Sequence, residues 1–306
     1  MCPSDNLLKK IQEELDKMAG DISLSDINAL AGRVLEGHNN TPRQEAEGLS
    51  PRQIFGLVNS FLEGCDIVSL NPLVSVEMAS TSSVVQICRE ILSFAVQEGK
   101  VKMTATGALP TRLVKSIADK FVLHTNWGEN YSFSIHKESD SSRIILCRVL
   151  CEMAGYLVDG KGGKVLSQEG RVALSRPGIM LIELFRLFCL RFNWQYIDGF
   201  EKECGQIGVG YSLLLLHKYG GQWNHVTFYA DKFLKAFPIV VDTITGDTED
   251  ALGKATYYYT LRTFEHGMEW FGLVHSDKKL TPLYHPDYRV MTTPLFREFI
   301  TVKWPK

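Results

Sequence analysis

The chain is 306 residues long, enough for two or three domains, and its 45% apolar and 10% aromatic content excludes a globally disordered polymer. Its 33 Lys/Arg against 35 Asp/Glu give a formal charge of −2, which excludes a strongly basic nucleic-acid coat and an acidic solvating chain. The charge is uneven: residues 1–80 hold six cations and twelve anions, 81–192 hold fifteen and ten, and 193–306 hold twelve and thirteen.

Residues 1–80 read as a helical N-terminal region. Leu7, Leu8, Ile11, Leu15 and Met18 recur at helical spacing over 5–19, and a second helix follows Ser23 or Ser25 with Ile27, Leu30, Val34 and Leu35 on one side. The stretch "EGHNNTPRQEAEG" (36–48) has the polar, turn-rich composition of a linker. Ser50 then caps a helix with Pro51 at its first position and Gln53 completing a capping box. "CDIVSL" reads as a short strand, stopped by Asn71-Pro72. The N-terminus lacks the apolar core of a secretion signal, so a cytoplasmic location is expected. The seven cysteines form no C-x-x-C pair and read as reduced, metal-free thiols, with Cys147 and Cys151 sharing one core-facing helix side.

Residues 81–192 introduce a repeated pattern. Helices are expected over 83–98 and 142–156, leading into strands near 101–103 and 164–166. A third helix over 255–271 leads toward a strand near 289–291. The shared core is Val-Lys-Met-Thr (101–104), Lys-Val-Leu-Ser (164–167) and Arg-Val-Met-Thr (289–292), where a hydroxyl can cap exposed N–H groups as strand gives way to helix. Three superposable units are therefore expected, two within 81–192 and one closing the helical region 193–306. "IMLIELFRLFCLRF" is too short for a bilayer, carries Glu183 and Arg186, and reads as a buried helix. "GVGYSLLLLHKYG" and "WNHVTFYADKFLKAFP" follow as helices, and "VDTITGDTEDALGK" (241–254) as a loop. The fold class is mainly α with small β-hairpins (α+β).

The segment 141–176 resembles the C-terminal part of a winged-helix domain. The residues that carry the likeness are Gly155, Leu157-Val158, the Asp159–Lys164 hairpin, Val165-Leu166 and Ser167-Gln168-Glu169-Gly170. The first unit lacks the preceding hairpin, and the third has Pro294 and Leu295 where the glycine would stand. The tandem arrangement is also similar to that of uncharacterised bacterial proteins. In the winged-helix family the helix before the wing enters the major groove and the wing touches the backbone. The resemblance therefore implies a reading helix at Ser141–Ala154 with Arg143 and Arg148, and phosphate contacts from Lys161, Lys164, Arg171 and Arg176. The other positions of that helix, among them Ile144, Ile145, Leu146, Val149, Leu150 and Met153, suit a core, whereas base reading needs polar side chains. A protein partner is thus expected ahead of nucleic acid.

Chemical motifs are sparse. "TFEHGMEW" places Glu265 and Glu269 one turn apart beside His266, a set able to do acid–base work and the basis of a rival, enzymatic reading. "DGKGGK" lacks the Ser/Thr of a phosphate-binding loop, and "GQIGVG" follows no strand. His217 and His225 flank the turn "KYGGQWN" without a carboxylate motif. The aromatics of "NWQYIDGF" and "TYYYTLRTF" suit packing between helices rather than base stacking. The expectation is a non-enzymatic binding or scaffold protein with no metal, no cofactor and no membrane span. An apolar groove or a basic ridge favours this binder; a deep cleft gathering Glu265, His266 and Glu269 favours the enzyme.

Overall fold

The computed structural model describes residues 3–18, 23–121, 135–200, 204–244, 250–278 and 286–304. Helix α1 (Pro3–Leu15) packs on α2 (Leu24–Asn40), whose N-terminus is closed by a reciprocal Ser23–Asp26 capping box. The stretch 36–48 is not a linker. Helix α2 runs on to Asn40 and stops at Thr41, which Pro42 holds in extended backbone. A 3-10 turn at Gln44–Ala46 then buries Ala46, and Leu49 is buried just beyond. Helix α3 (Pro51–Asn59) begins with the Ser50–Gln53 capping box that the sequence dictates. Strand β1 (Val68–Leu70) and the short α4 (Val76–Ala79) complete this part.

Helix α5 (Ser83–Gln97) buries Val84, Val85, Ile87, Cys88, Ile91, Leu92 and Ala95, chiefly against α7 (Ser142–Met153). Around this pair stand α6 (Thr111–Lys120), the hairpin β2 (Leu157–Gly160) and β3 (Gly163–Leu166), α8 (Gln168–Ser175) and α9 (Pro177–Leu190). Where a strand over 101–103 was expected, one residue pairs. Val101 exchanges both backbone hydrogen bonds with Lys164, at 2.7 and 2.9 Å, and so adds a third row to the hairpin. The three aligned hydroxyls have three different uses. Ser167 caps α8, Thr104 closes a turn onto Ala108, and Thr292 donates to the Gly220 carbonyl while Thr293 does the capping.

The remainder is helical. It comprises α10 (Gln195–Asp198), α11 (Val209–Tyr219), the short strand β4 (Asn224–His225), α12 (Val226–Ala236), α13 (Pro238–Ile244) and α14 (Ala251–Thr260). Helix α14 passes directly into a π-helix at Leu261–Met268, so the helix expected over 255–271 changes its winding midway. The expected loop 241–254 is helical at both ends, within α13 and α14, and its residues 245–249 lie outside the described residues. Strand β5 (Val274–Ser276) and β4 flank β6 (Arg289–Thr292), and α15 (Pro294–Phe299) leads into β7 (Ile300–Val302). Strand β7 pairs antiparallel with β1, Val68 opposite Val302, and ties the C-terminal part to the N-terminal part.

The fold is mainly α, with small antiparallel sheets of two or three strands. One contiguous set of buried apolar side chains runs from Ala46 to Ile300. Among the described residues, no helix is long and apolar enough to cross a membrane.

Candidate functional site

Helix α9 is apolar around most of its circumference, which in a globular protein calls for partners on all sides. Its inner face has them: Met180, Leu181, Leu184, Phe185, Phe188 and Cys189 are buried, and Phe185 meets Phe271 and Phe299 edge-on at 5.1 and 5.5 Å. The other face is only partly covered: Ile182, Leu187 and Leu190 are half-buried against the core, while Ile179 and Arg186 are exposed. Ile179, Ile182, Glu183, Arg186, Leu187 and Leu190 follow one another at i, i+3, i+4, i+7, i+8 and i+11, and together line a cleft of about 480 Å³ bounded by Pro72 and Glu63. Ile179 is 43% exposed, and the adjoining Leu73 and Val76 are exposed by 84% and 63%. The segment carrying them is held close because Gly178 lets the Val74 carbonyl approach, where a Cβ would come within 2.9 Å of that oxygen.

A second cleft of about 400 Å³ shares Leu190 and Arg191 with the first and continues past the end of α9. Leu57, Val58, Phe61 and Val209 form its apolar wall, and Asn193, Gln195 and Gln206 its polar one. Its floor is Arg262, 1% exposed, whose Nε and Nη2 donate to Asp198 at 2.6 and 2.8 Å and whose Nη2 also donates to the Phe200 carbonyl at 2.6 Å. That cation is neutralised in place. Arg186 and Arg191, by contrast, are exposed and form no ion pair among the described residues. Glu183 accepts a hydrogen bond from the Tyr156 hydroxyl at 2.6 Å; burial and this neighbouring carboxylate together push the phenol well above its usual range. The two clefts adjoin at Leu190 and Arg191, and the lining of the first balances two anions, Glu63 and Glu183, against two cations, Arg186 and Arg191.

The residues implied by the winged-helix resemblance are placed as follows. Along α7, Met153 is the exposed side chain, and the rest are buried or half-buried. Arg148 donates to Glu138 at 2.5 Å and to Glu152 at 2.9 Å, and Glu138 also accepts the Leu109 N–H. Arg143 lies over the Trp270 ring at 5.3 Å; burial pulls its pKa down, and the nearby Glu269 opposes that pull. Helix α7 therefore turns both of its arginines to intramolecular partners. On the hairpin, Lys164 is engaged by Asp159 at 2.9 Å and Glu152 at 3.5 Å, whereas Lys161, Arg171 and Arg176 are exposed. The Val101–Lys164 bridge brings two further exposed cations, Lys100 and Lys102, to the same hairpin, and Lys100 Nζ donates to the Lys161 carbonyl at 3.1 Å. Nothing in the spacing of the sequence couples residues 100 and 161.

The acid–base set is gathered on the π-helix and just beyond it, and each member has a partner. Glu265 pairs with Lys278, Glu269 accepts from Ser276 Oγ at 3.2 Å, and the His266 ring packs on Trp270 at 4.7 Å between centroids. Burial pushes His266 down to about 4 and Glu269 up, with Arg143 opposing the latter. None of the three lines either cleft.

Sequence reading also missed Glu47. It sits in left-handed backbone at φ 59° after the 3-10 turn, its side chain 9% exposed. Burial alone would raise this carboxyl, but bonds from Lys218 at 2.7 Å, Lys232 at 2.6 Å and the Tyr219 hydroxyl at 2.5 Å outweigh it and hold the pKa at about 2. Glu47 thereby clamps the turn onto α11 and α12.

Cys88 and Cys147 are buried between α5 and α7, and each thiol donates to a carbonyl across that contact. Among the described residues, no group of three His, Cys, Asp or Glu side chains is placed to hold a metal ion. Comparison with family models, with curated proteins and with solved structures finds no match.

Proposed function

We propose that the protein is a non-enzymatic binding or scaffold module that holds a segment of a protein partner in the groove along α9. The observation that carries this reading is the outer face of α9, where apolar side chains at helical spacing line an open cleft and the exposed Arg186 and Arg191 stand beside them with no ion pair among the described residues. The placement of Glu265, His266 and Glu269 outside both clefts supports a binder over an enzyme. Free, buried thiols suit a reducing, cytoplasmic setting.

Within this reading, residues 83–166 are one winged-helix-like unit. The supporting feature is their order: helix α5, the Val101 strand residue, helices α6 and α7, then β2 and β3, with Val101 beside β3. The unit serves packing, since α7 spends its side chains on the core and on internal ion pairs. A second reading is favoured by one observation, the exposed ridge of Lys100, Lys102 and Lys161. Such a ridge suits sequence-independent contact with phosphates.

Photoreactive benzoylphenylalanine at Ile182 or Leu187 tests the groove directly in the native cell. A discrete crosslinked protein is expected from both positions and not from the exposed Ile239 elsewhere on the molecule. Equal, diffuse labelling from all three positions overturns the reading.

A further inference from the structure

We infer that Cys88 and the α7 pair Cys147 and Cys151 form a redox lock, silent while reduced, in which oxidation joins α5 to α7 through a disulfide at Cys88. The placement of the three thiols carries the inference. Cys147 and Cys151 stand one turn apart on the side that α7 buries. Cys88 meets them from α5: its thiol donates to the Cys147 carbonyl at 3.5 Å and is in hydrogen-bond contact with the thiols of both Cys147 and Cys151. The Cys147 thiol in turn donates at 3.8 Å to the carbonyl of Val84, one turn before Cys88 on α5. All three are free and fully buried. Among the described residues, Cys189 and Cys204 have no such thiol neighbour.

Burial keeps the Cys88 thiol protonated, well above its ordinary range, and a thiol reacts with oxidants far more slowly than a thiolate. Oxidation therefore waits on a local opening of the α5–α7 contact. One exposed thiolate attacks the oxidant, and as the helices close the second sulfur displaces the reduced oxidant from the first. With hydrogen peroxide, two thiols and one peroxide give one disulfide and two waters. Cys147 and Cys151 compete for Cys88, and thiol–disulfide exchange passes the bond between them. Cys88 and Cys147 are 59 residues apart, so the bond closes a long loop and opposes reopening of the contact. Helix α5 runs on to Val101 and α7 to the β2–β3 hairpin, so the bond ties together the two elements that Val101 and Lys164 join.

The test treats the full, folded chain with diamide, which leaves as its hydrazine, and maps the cysteines by mass spectrometry after acid quenching. A peptide pair linking Cys88 to Cys147 or Cys151, two hydrogens lighter than the free pair and split by dithiothreitol, is expected in more than half of the molecules. Cys65, Cys189 and Cys204 should be recovered as thiols. Cys147→Ala should leave the link to Cys151, Cys151→Ala the link to Cys147, and Cys88→Ala none; thermal melts of the reduced variants report on folding separately. Amide exchange over residues 99–104 and 157–166 should slow at least threefold in the linked parent and be indifferent to diamide in Cys88→Ala. Absence of the link in the folded parent, or its formation only in urea, overturns the lock. Linkage spread equally over all the cysteines, or a Cys88 link that leaves this exchange unchanged, overturns it as well.

Discussion

Val101 and Lys164 exchange both of their backbone hydrogen bonds across the edge of the β2–β3 hairpin. The contact depends on Gly163, whose φ is 154° and whose absent Cβ would come 2.5 Å from the Val101 carbonyl oxygen. Backbone cannot yield there as a flexible side chain would. Gly163→Ala is therefore expected to cost about 2 kcal/mol in urea unfolding. Gly37→Ala, inside α2 with nothing within 4 Å, should be neutral or stabilising by up to about 1 kcal/mol. Equal effects at the two sites would deny the Val101–Lys164 edge its structural weight.

The same bridge sets which cations the hairpin offers to phosphates. Lys100, Lys102 and Lys161 share a ridge, while Arg148 is locked to Glu138 and Glu152. Weak, salt-sensitive retention of a mixed-sequence duplex is expected for the parent protein and should vanish in a Lys100→Glu/Lys161→Glu variant. Arg148→Met should leave duplex retention alone and lower stability by about 3 kcal/mol, because it strands the buried Glu138 carboxylate. A duplex assay blind to the lysine reversal would make the hairpin a structural corner.

What the sequence made legible was local. The Ser50–Gln53 box, the Ser167 cap and the apolar spacing over α5 are written within four residues of one another, and the mainly α class follows from such signals. What it hid was long-range. Composition made 36–48 a linker because the clamp on Glu47 comes from Lys218 and Lys232, far along the chain. The uniform apolarity of α9 announced packing but could not tell which face the fold would leave open. Arg143 and Arg148 looked available because Trp270, Glu138 and Glu152 become their neighbours only after folding. The π-helix at Leu261–Met268 has no local signature that separates it from the α-helix it continues.

His266 should make the fold sensitive to mild acid. Burial holds its pKa near 4, while the unfolded chain takes up the same proton near 6.5. Between those values the unfolded state binds more protons, so stability falls as pH drops from 6.5 to 4, by at most about 1.4 kcal/mol per pH unit. Glu269, whose carboxyl is raised by burial, acts in the opposite direction, so the comparison must be differential. His266→Phe keeps a ring against Trp270 and removes the titration. Denaturant midpoints of parent and variant should diverge across this window; parallel curves would show that the imidazole is not shielded from water.

Glu47 should govern the acid limb below that. Its folded carboxyl lies at about 2 against an ordinary 4.5, held down by Lys218, Lys232 and Tyr219 against the opposing effect of burial. A depressed carboxyl stabilises the fold fully above pH 4.5 and loses that contribution as pH falls toward 2. Glu47→Gln keeps the side-chain shape and removes the charge, leaving two lysines to turn toward water. Its cost at neutral pH should be on the order of 2 kcal/mol, below that of a fully buried pair because Lys218 and Lys232 remain 38% and 25% exposed. Parent and variant should then converge as pH approaches 2, since the parent carboxyl becomes neutral there as well. Glu45→Gln, two residues away with its side chain 52% exposed and paired with Arg43 at 3.5 Å, should change stability by less than about 0.5 kcal/mol at any pH. Urea unfolding of the three proteins from pH 7 to pH 2 separates the cases. A constant gap between parent and Glu47→Gln would mean that the residue acts through its left-handed backbone or its packing, and not through the charge it offers to α11 and α12.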